Sequence, residues 1–212
     1  MESIYWATDP YPHWAFWFSL VCSPQSRWTD HNSGSEDKTI KVWQAQTGEL
    51  IRTLTGHSSR VFSVALNSDG QTLASGSKDK TIKLWNVQTG ELVRTFTGHS
   101  NAVRSIAFSP DADKLASSSW DKTIKIWNLH IGEQLSTLKG HSDHVVAILF
   151  SANGQMLTSA SVDKTVKIWS LQTRKLLRDL SRHSDWVLSV TTSTSGQTIV
   201  SSSKDKTIKI WR

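Results

Sequence analysis

A short motif recurs along this chain at a constant spacing of 42 residues, and this spacing restricts the possible folds more than any other feature. The motif reads Asp-Lys-Thr, then Ile or Val, then Lys, any residue and Trp. A histidine recurs in the same register. Such a period is typical of proteins built from repeated supersecondary units. The motif copies are Asp37–Trp43, Asp79–Trp85, Asp121–Trp127, Asp163–Trp169 and Asp205–Trp211, and the histidines are His57, His99, His141 and His183.

Each unit has the pattern of four short strands. In the second unit, apolar or alternating segments at Val61–Leu66, Thr72–Ser77, Thr81–Trp85 and Leu92–Thr97 are separated by turns rich in Asn, Asp, Lys and Gly. No segment keeps a helical period. The pattern predicts an antiparallel meander with apolar side chains on both faces. Such units bury both faces when they stack side by side around an axis.

The recurring Gly-His, the Ser-X-X-X-Asp and the closing Trp of residues 33–212 resemble the WD40-repeat family. The resemblance implies an all-β propeller of four-stranded antiparallel blades, about five in number, with a degenerate first blade and an incomplete or open ring. One departure is the residue after the Trp, where the family usually has Asp. This chain has Gln44, Asn86, Asn128, Ser170 and Arg212 there.

The repeat register divides the chain into one degenerate segment and five units of a single propeller domain. Residues 1–32 form the degenerate segment, and residues 33–54 are the remainder of blade 1. The last unit lacks its outer strand, so another chain or further blades are expected to close the ring. The remaining predicted blades are 55–96, 97–138, 139–180 and 181–212.

The first residues look like a repeat translated in a shifted reading frame. In the repeat register, Gly-His would stand at positions 14–15, where the chain has Trp14 and Ala15. A Trp codon followed by an Ala codon gives glycine when it is read one nucleotide later. Trp28 followed by Thr29 gives a second glycine, 42 residues before Gly70. We expect the gene to spell the repeat in that frame.

Each of the last four units carries His, Ser, Asp and Trp at fixed offsets. The resemblance implies that these side chains form a buried hydrogen-bond network in which Trp donates, Ser relays and His bridges to Asp. A buried polar chain stabilises a fold when every member is paired. The predicted tetrads are His57, Ser75, Asp79 and Trp85; His99, Ser117, Asp121 and Trp127; His141, Ser159, Asp163 and Trp169; and His183, Ser201, Asp205 and Trp211.

Other chemistries fit these residues less well. Ser, His and Asp are also the residues of a hydrolase triad, but four equally spaced copies do not define one active site. A zinc site needs ligands clustered in space, whereas one histidine per blade separates them. The lysines are spread evenly along the chain, which disfavours nucleic acid. We therefore expect no catalytic residue, no metal and no cofactor.

Positions that differ between units are candidates for partner binding. The resemblance implies that the upper face around the channel is lined by the residues three and five after each histidine and one before each Asp. Arg, Trp and Phe dominate interface energies, and basic plus aromatic side chains suit an acidic or phosphorylated peptide. For Trp120 and Trp186, packing between blades stays open as an alternative. The predicted partner-binding residues are Arg60, Phe62, Lys78, Arg104, Trp120, His144, Trp186 and Lys204.

The resulting expectation is a non-enzymatic scaffold for protein–protein interactions. The net charge of +6 favours acidic partners weakly. No apolar run reaches membrane-spanning length, and a single cysteine, Cys22, gives no internal disulfide. These features favour a cytoplasmic location. The alternative is a regulatory or sensor module that acts with a separate kinase or nucleoside-triphosphatase chain.

Overall fold

The computed structural model describes residues 30–193 and 196–212, and this part of the chain contains strands and no helix. The all-β fold class predicted from the repeat is confirmed. The predicted degenerate segment falls outside the described residues up to position 29. β1 begins at Asp30, ahead of the predicted boundary at residue 33.

Eighteen strands are present in the described ranges, arranged as five antiparallel sheets in chain order. The first sheet is β1 (Asp30–Gly34), β2 (Ile40–Gln44) and β3 (Leu50–Leu54); the second is β4 (Val61–Leu66), β5 (Thr72–Ser77), β6 (Ile82–Asn86) and β7 (Leu92–Phe96); the third is β8 (Val103–Phe108), β9 (Lys114–Ser119), β10 (Thr123–Asn128) and β11 (Gln134–Lys139); the fourth is β12 (Val145–Phe150), β13 (Met156–Ser161), β14 (Val166–Ser170) and β15 (Leu176–Leu180); and the fifth is β16 (Val187–Thr192), β17 (Ile199–Ser203) and β18 (Ile208–Trp211).

Each sheet is a simple meander in which consecutive strands pair. The three middle sheets have four strands, whereas the first and fifth have three in the described part of the chain. The turns between the second and third strands place Lys at positive φ, for example Lys80 and Lys122 at 72° and 71°. The sheets contact their chain neighbours face to face, in the manner of open propeller blades.

The core lies between the sheets. The second and third sheets meet in one hydrophobic cluster. Its members include Ile82, Leu84 and Phe96 of the second sheet and Ile106 and Trp127 of the third. The same arrangement recurs at the other interfaces between neighbouring sheets. We call the face that meets the following sheet the rear face. Each of the first four sheets therefore depends on its successor to remove its rear face from water.

Candidate functional site

Antiparallel order places two recurring segments at the same edge of the second, third, fourth and fifth sheets. The segment between the histidine and the first strand lies beside the turn that joins the second and third strands. In the second sheet, the backbone N–H of Lys78 donates to the carbonyl of Arg60 at 2.8 Å. Trp120 and Ala102, and Lys204 and Trp186, form the equivalent bonds at 3.0 and 2.8 Å. We call this the upper edge, and it carries the His and Asp ends of the tetrads together with the predicted binding positions.

The second sheet shows how one tetrad is connected. Trp85 Nε1 donates to Ser75 Oγ at 2.8 Å, and Ser75 Oγ lies 2.7 Å from His57 Nε2. His57 Nδ1 lies 2.7 Å from Asp79 Oδ2. An ionised carboxylate only accepts, so a neutral His57 carries its proton on Nδ1 and accepts from Ser75 at Nε2. Every donor in this chain of four side chains then has an acceptor.

The aspartate ends of the tetrads are tied to their own turns. Asp79 accepts from the Thr81 hydroxyl at 2.6 Å and from the backbone N–H of Thr81 and Ser58, both at 3.0 Å. The turn, the histidine segment and the third strand are thus joined through one carboxylate. This explains why Asp and Thr recur together in the motif.

The same geometry recurs in the third, fourth and fifth sheets. The Trp–Ser distances are 2.8, 2.8 and 2.9 Å, and the His–Ser distances are 2.8, 2.7 and 2.8 Å. The His–Asp distance is 2.7 Å in each. The structure therefore brings together all four predicted members in each sheet.

The hydrogen bonds set the charge state of the aspartates. Burial by itself raises the pKa of Asp121, but hydrogen bonds from His99 and Thr123 outweigh it and hold the pKa well below its ordinary value. Asp163 is lowered in pKa by the same balance, with bonds from His141 and Thr165. Burial lowers the pKa of His57, which keeps it neutral. Each carboxylate is therefore ionised at neutral pH.

The tetrads cannot expose their serines to a substrate. Ser75 is fully buried and its Oγ already accepts the indole N–H of Trp85. A nucleophilic serine needs an open face for the reacting carbonyl and a nearby oxyanion site. Ser75 has no such open face, because it is buried and bonded to both Trp85 and His57.

Four of the predicted binding residues form one contiguous cluster across three sheets. The Phe62 ring lies 5.4 Å from the Trp120 ring, which stacks on His144 at 5.4 Å. The Arg104 guanidinium lies over Phe62 at 5.3 Å from the ring centroid. We call Phe62, Arg104, Trp120 and His144 the aromatic cluster. All four side chains are half-buried. Trp120 contacts Phe62 of the second sheet and His144 beside the fourth sheet, and part of its surface stays exposed to solvent.

The other four predicted residues lie outside this cluster. Lys204 Nζ lies 4.4 Å from the Trp186 ring centroid, and the Trp186 side chain is an exposed hydrophobic at 43%. Arg60 pairs with Glu36 of the first sheet at 2.7 Å. Lys78 is exposed beside Arg60. The upper edge thus presents cations at both ends and aromatic rings between them.

Sequence reasoning missed a contact that ties outer strands to neighbouring turns. Arg52 Nη1 and Nη2 donate to the carbonyls of Thr89 and Gln88 at 3.0 and 2.7 Å. A Cβ added at Gly90 would lie 2.6 Å from Arg52 Cδ. Arg94 occupies the same place against Gly132. The sequence carries a signal for this contact, because in both places the Arg is followed by a Gly 38 residues later.

A comparison with known protein families shows to which family this chain belongs. The model described as WD domain, G-beta repeat, matches residues 48–86, 90–128, 132–170 and 174–212. The chain belongs to the WD40-repeat family. Each matched unit joins the outer strand of one sheet to the first three strands of the next. The matched unit is therefore offset from the sheet, because it begins with the outer strand of the preceding sheet.

Individual WD40 relatives match over about one repeat. The Lissencephaly-1 homolog of Caenorhabditis briggsae is 48% identical over 22% of this chain and 12% of its own length. Nuclear distribution protein PAC1 of Coprinopsis cinerea is 46% identical over 18% of this chain and 9% of its own length. The guanine nucleotide-binding protein subunit beta of Schizosaccharomyces pombe is 46% identical over 19% of this chain and 13% of its own length. The matched stretches thus span only a small part of these relatives.

Among residues 30–193 and 196–212, no helix is long and apolar enough to cross a membrane. In the same ranges, no three His, Cys, Asp or Glu side chains cluster closely enough to hold a metal ion.

Proposed function

We propose that this WD40-repeat chain is a non-enzymatic scaffold that binds proteins or peptides through its upper edge. The observation that carries the proposal is the aromatic cluster. Its members occupy positions that differ from one repeat to the next, whereas the tetrads have the same residues in the second to fifth sheets. A surface that varies on a constant framework is suited to one particular partner.

The chemistry of the upper edge favours an acidic or phosphorylated peptide. Arg60, Lys78 and Lys204 are exposed cations, and Trp186 adds an exposed ring beside Lys204. Cations that flank aromatic rings bind carboxylates and phosphates while the rings cover the apolar part of a peptide. The name of one relative, a guanine nucleotide-binding protein subunit beta, denotes a member of an assembly, which supports a role in complexes. A cytoplasmic location is part of this proposal.

The test uses a panel of fluorescent ten-residue peptides that are Glu-rich, phosphoserine-containing, neutral or Lys-rich. We expect the full chain to bind the first two classes and not the others. The double variant Arg104→Ala/Trp186→Ala should weaken that binding at least about tenfold, which corresponds to about 1.4 kcal/mol.

The matched control is Arg174→Ala/Ile131→Ala, which removes a cation and an exposed apolar side chain from turns at the opposite edge. This variant should bind the acidic peptides as the wild type does. Equal affinity of the wild type and the upper-edge variant would remove the proposal.

A further inference from the structure

The second lysine of the repeated motif faces the outer strand of its own sheet. In the first four sheets, the antiparallel register sets this lysine opposite a side chain that bears a hydroxyl or a carboxylate. The cross-strand pairs are Lys41 and Thr53, Lys83 and Thr95, Lys125 and Thr137, and Lys167 and Asp179. One position of the repeat therefore holds a threonine in three sheets and an aspartate in the fourth.

The fourth sheet shows that a negative group fits at this position. Lys167 Nζ forms an ion pair with Asp179 Oδ2. The lysine side chain is buried, whereas 45% of the aspartate side chain is exposed. Asp is depleted in strands, and its charge-assisted bond to the lysine compensates for that in β15. An anion on the outer strand can therefore pair with the motif lysine and still project into solvent.

The second sheet has an exposed threonine at this position beside a lysine that has no carboxylate partner. Lys83 Nζ donates to Thr95 Oγ1 at 3.0 Å. Among the described residues, Lys83 forms no ion pair, and the Thr95 hydroxyl has no acceptor for its own proton. Thr95 is exposed and lies on β7, the outermost strand of its sheet. A group added to its oxygen would therefore extend into solvent next to an ammonium group.

The equivalent lysines of the first and third sheets have other contacts. Lys125 Nζ donates to Gln134 Oε1 at 2.8 Å and to Thr137 Oγ1 at 3.0 Å. Gln134 Nε2 donates to the same hydroxyl at 3.0 Å, and Thr137 is half-buried. In the first sheet, Lys41 Nζ lies 6.0 Å from the centroid of the Trp43 ring. In the described part of these two sheets, no exposed threonine contacts a lysine as in the second sheet.

We propose that Thr95 is a phosphorylation site and that Lys83 holds the phosphate. The phosphoryl donor is a nucleoside triphosphate bound by a protein kinase on another chain. Thr95 Oγ1 bonds to the γ-phosphorus, the bond from that phosphorus to the β–γ bridging oxygen breaks, and a nucleoside diphosphate leaves. The hydroxyl proton passes to a base of the kinase. The phosphate carries a charge of about −1.5 to −2 at neutral pH.

The modification fastens the outer strand to its sheet. A phosphate oxygen accepts a charge-assisted hydrogen bond from Lys83, at the position where Asp179 accepts from Lys167 in the fourth sheet. The neighbour of Thr95 in the chain, Phe96, is buried in the cluster between the second and third sheets. Phosphate at this site therefore also steadies that interface. The proposal uses no residue of the upper edge and does not depend on peptide binding there.

Phosphate mapping on the unaltered full chain is the first test. The folded chain is incubated with Mg²⁺, ATP and a panel of serine/threonine kinase domains that accept substrates with Arg before the acceptor residue. Arg94 stands in that place before Thr95. We expect mass spectrometry to find phosphate on Thr95. Absence of phosphate on Thr95 with every member of the panel would overturn the proposal.

Hydrogen exchange tests whether Lys83 holds the phosphate. The full chain is produced with phosphothreonine encoded at position 95, and exchange of the amides of Leu92–Phe96 is followed by mass spectrometry. Exchange should slow at least about fivefold relative to the unmodified chain, because the new bond resists opening of β7. Lys83→Met should abolish this slowing. Lys80→Met, which removes an exposed lysine from the turn of the same sheet, should retain it.

Phosphothreonine at position 97 is the matched control for the added charge. Thr97 is exposed and lies two residues after Thr95, beyond the end of the pairing between β6 and β7. Phosphate there should leave the exchange of Leu92–Phe96 unchanged. Equal slowing by phosphate at the two positions, or slowing that survives Lys83→Met, would contradict the proposed role of Lys83.

Discussion

The third and fifth sheets carry the same motif in different surroundings. In the third sheet, Ile124 and Ile126 are 0% and 3% exposed because the fourth sheet covers them. In the fifth sheet, the equivalent Ile208 and Ile210 are 71% and 63% exposed. The tetrads of both sheets nevertheless have nearly the same distances. The geometry of the hydrogen-bond network is therefore determined by residues of one sheet. The burial of the apolar side chains depends on the presence of the next sheet.

Truncating the same isoleucine in the two sheets should give the largest contrast. Ile124→Ala removes fully buried methyl groups and leaves a cavity, so the free energy of unfolding should fall by about 2–5 kcal/mol. Ile208→Ala should change it by less than about 0.5 kcal/mol, because that side chain is exposed. Urea denaturation of both variants measures the difference. Equal losses would mean that the rear face of the fifth sheet is covered.

Acid should lower the free energy of unfolding, because it protonates the aspartates of the tetrads. The folded-state pKa of Asp121 and of Asp163 lies below the value of an unfolded Asp, about 3.9. The unfolded chain therefore binds more protons in this range. The stability from these groups is present above about pH 5 and is lost as pH falls through the folded-state pKa.

Urea midpoints between pH 7 and pH 3 measure this dependence on pH. They should decline toward pH 3 in the wild type and decline less in Asp121→Asn, which is less stable at pH 7. The same decline in both proteins would show that Asp121 is not the responsible group.

An unpaired hydroxyl distinguishes the third sheet from the fourth. Ser118 Oγ is buried and has no hydrogen-bond partner among the described residues, and the fourth sheet has Ala160 at the equivalent position. Ser118→Ala should raise the free energy of unfolding by about 1 kcal/mol, because a buried unpaired polar group is costly.

The neighbouring Ser119 is the matched control. Its Oγ accepts from the N–H of Asp121 at 3.0 Å and donates to the carbonyl of Asn101 at 3.1 Å. Ser119→Ala should therefore destabilise. A loss of stability in both variants would show that Ser118 has a partner.

The smallest effect on the free energy of unfolding is expected at the turn lysines, and it should be equal in the third and fifth sheets. Lys122 and Lys206 have φ values of 71° and 66°, a conformation that glycine adopts more readily. Lys122→Gly and Lys206→Gly should each change the free energy of unfolding by no more than about 1 kcal/mol, and by the same amount. Thermal unfolding tests this, and a large difference would show that the turns depend on neighbouring sheets.

The parts of the molecule that repeat were predictable from sequence, because local patterns set the strands and turns. The strand pattern from Val61 to Thr97 anticipates β4–β7 to within a residue at each end. The contact of Phe62 with Trp120 was not predictable, because it joins different sheets and depends on the angle between them. The exposure of Ile208 could not be predicted from the motif, because Ile82 stands at the same position of the motif and is buried.

The most direct test of the central claim is the free energy of unfolding of His57→Ala, measured by urea denaturation. The claim is that the indole–hydroxyl–imidazole–carboxylate chains stabilise the sheets. The variant leaves Ser75 and Asp79 without their imidazole partner, so it should lose about 1–3 kcal/mol. Stability equal to that of the wild type would contradict the account.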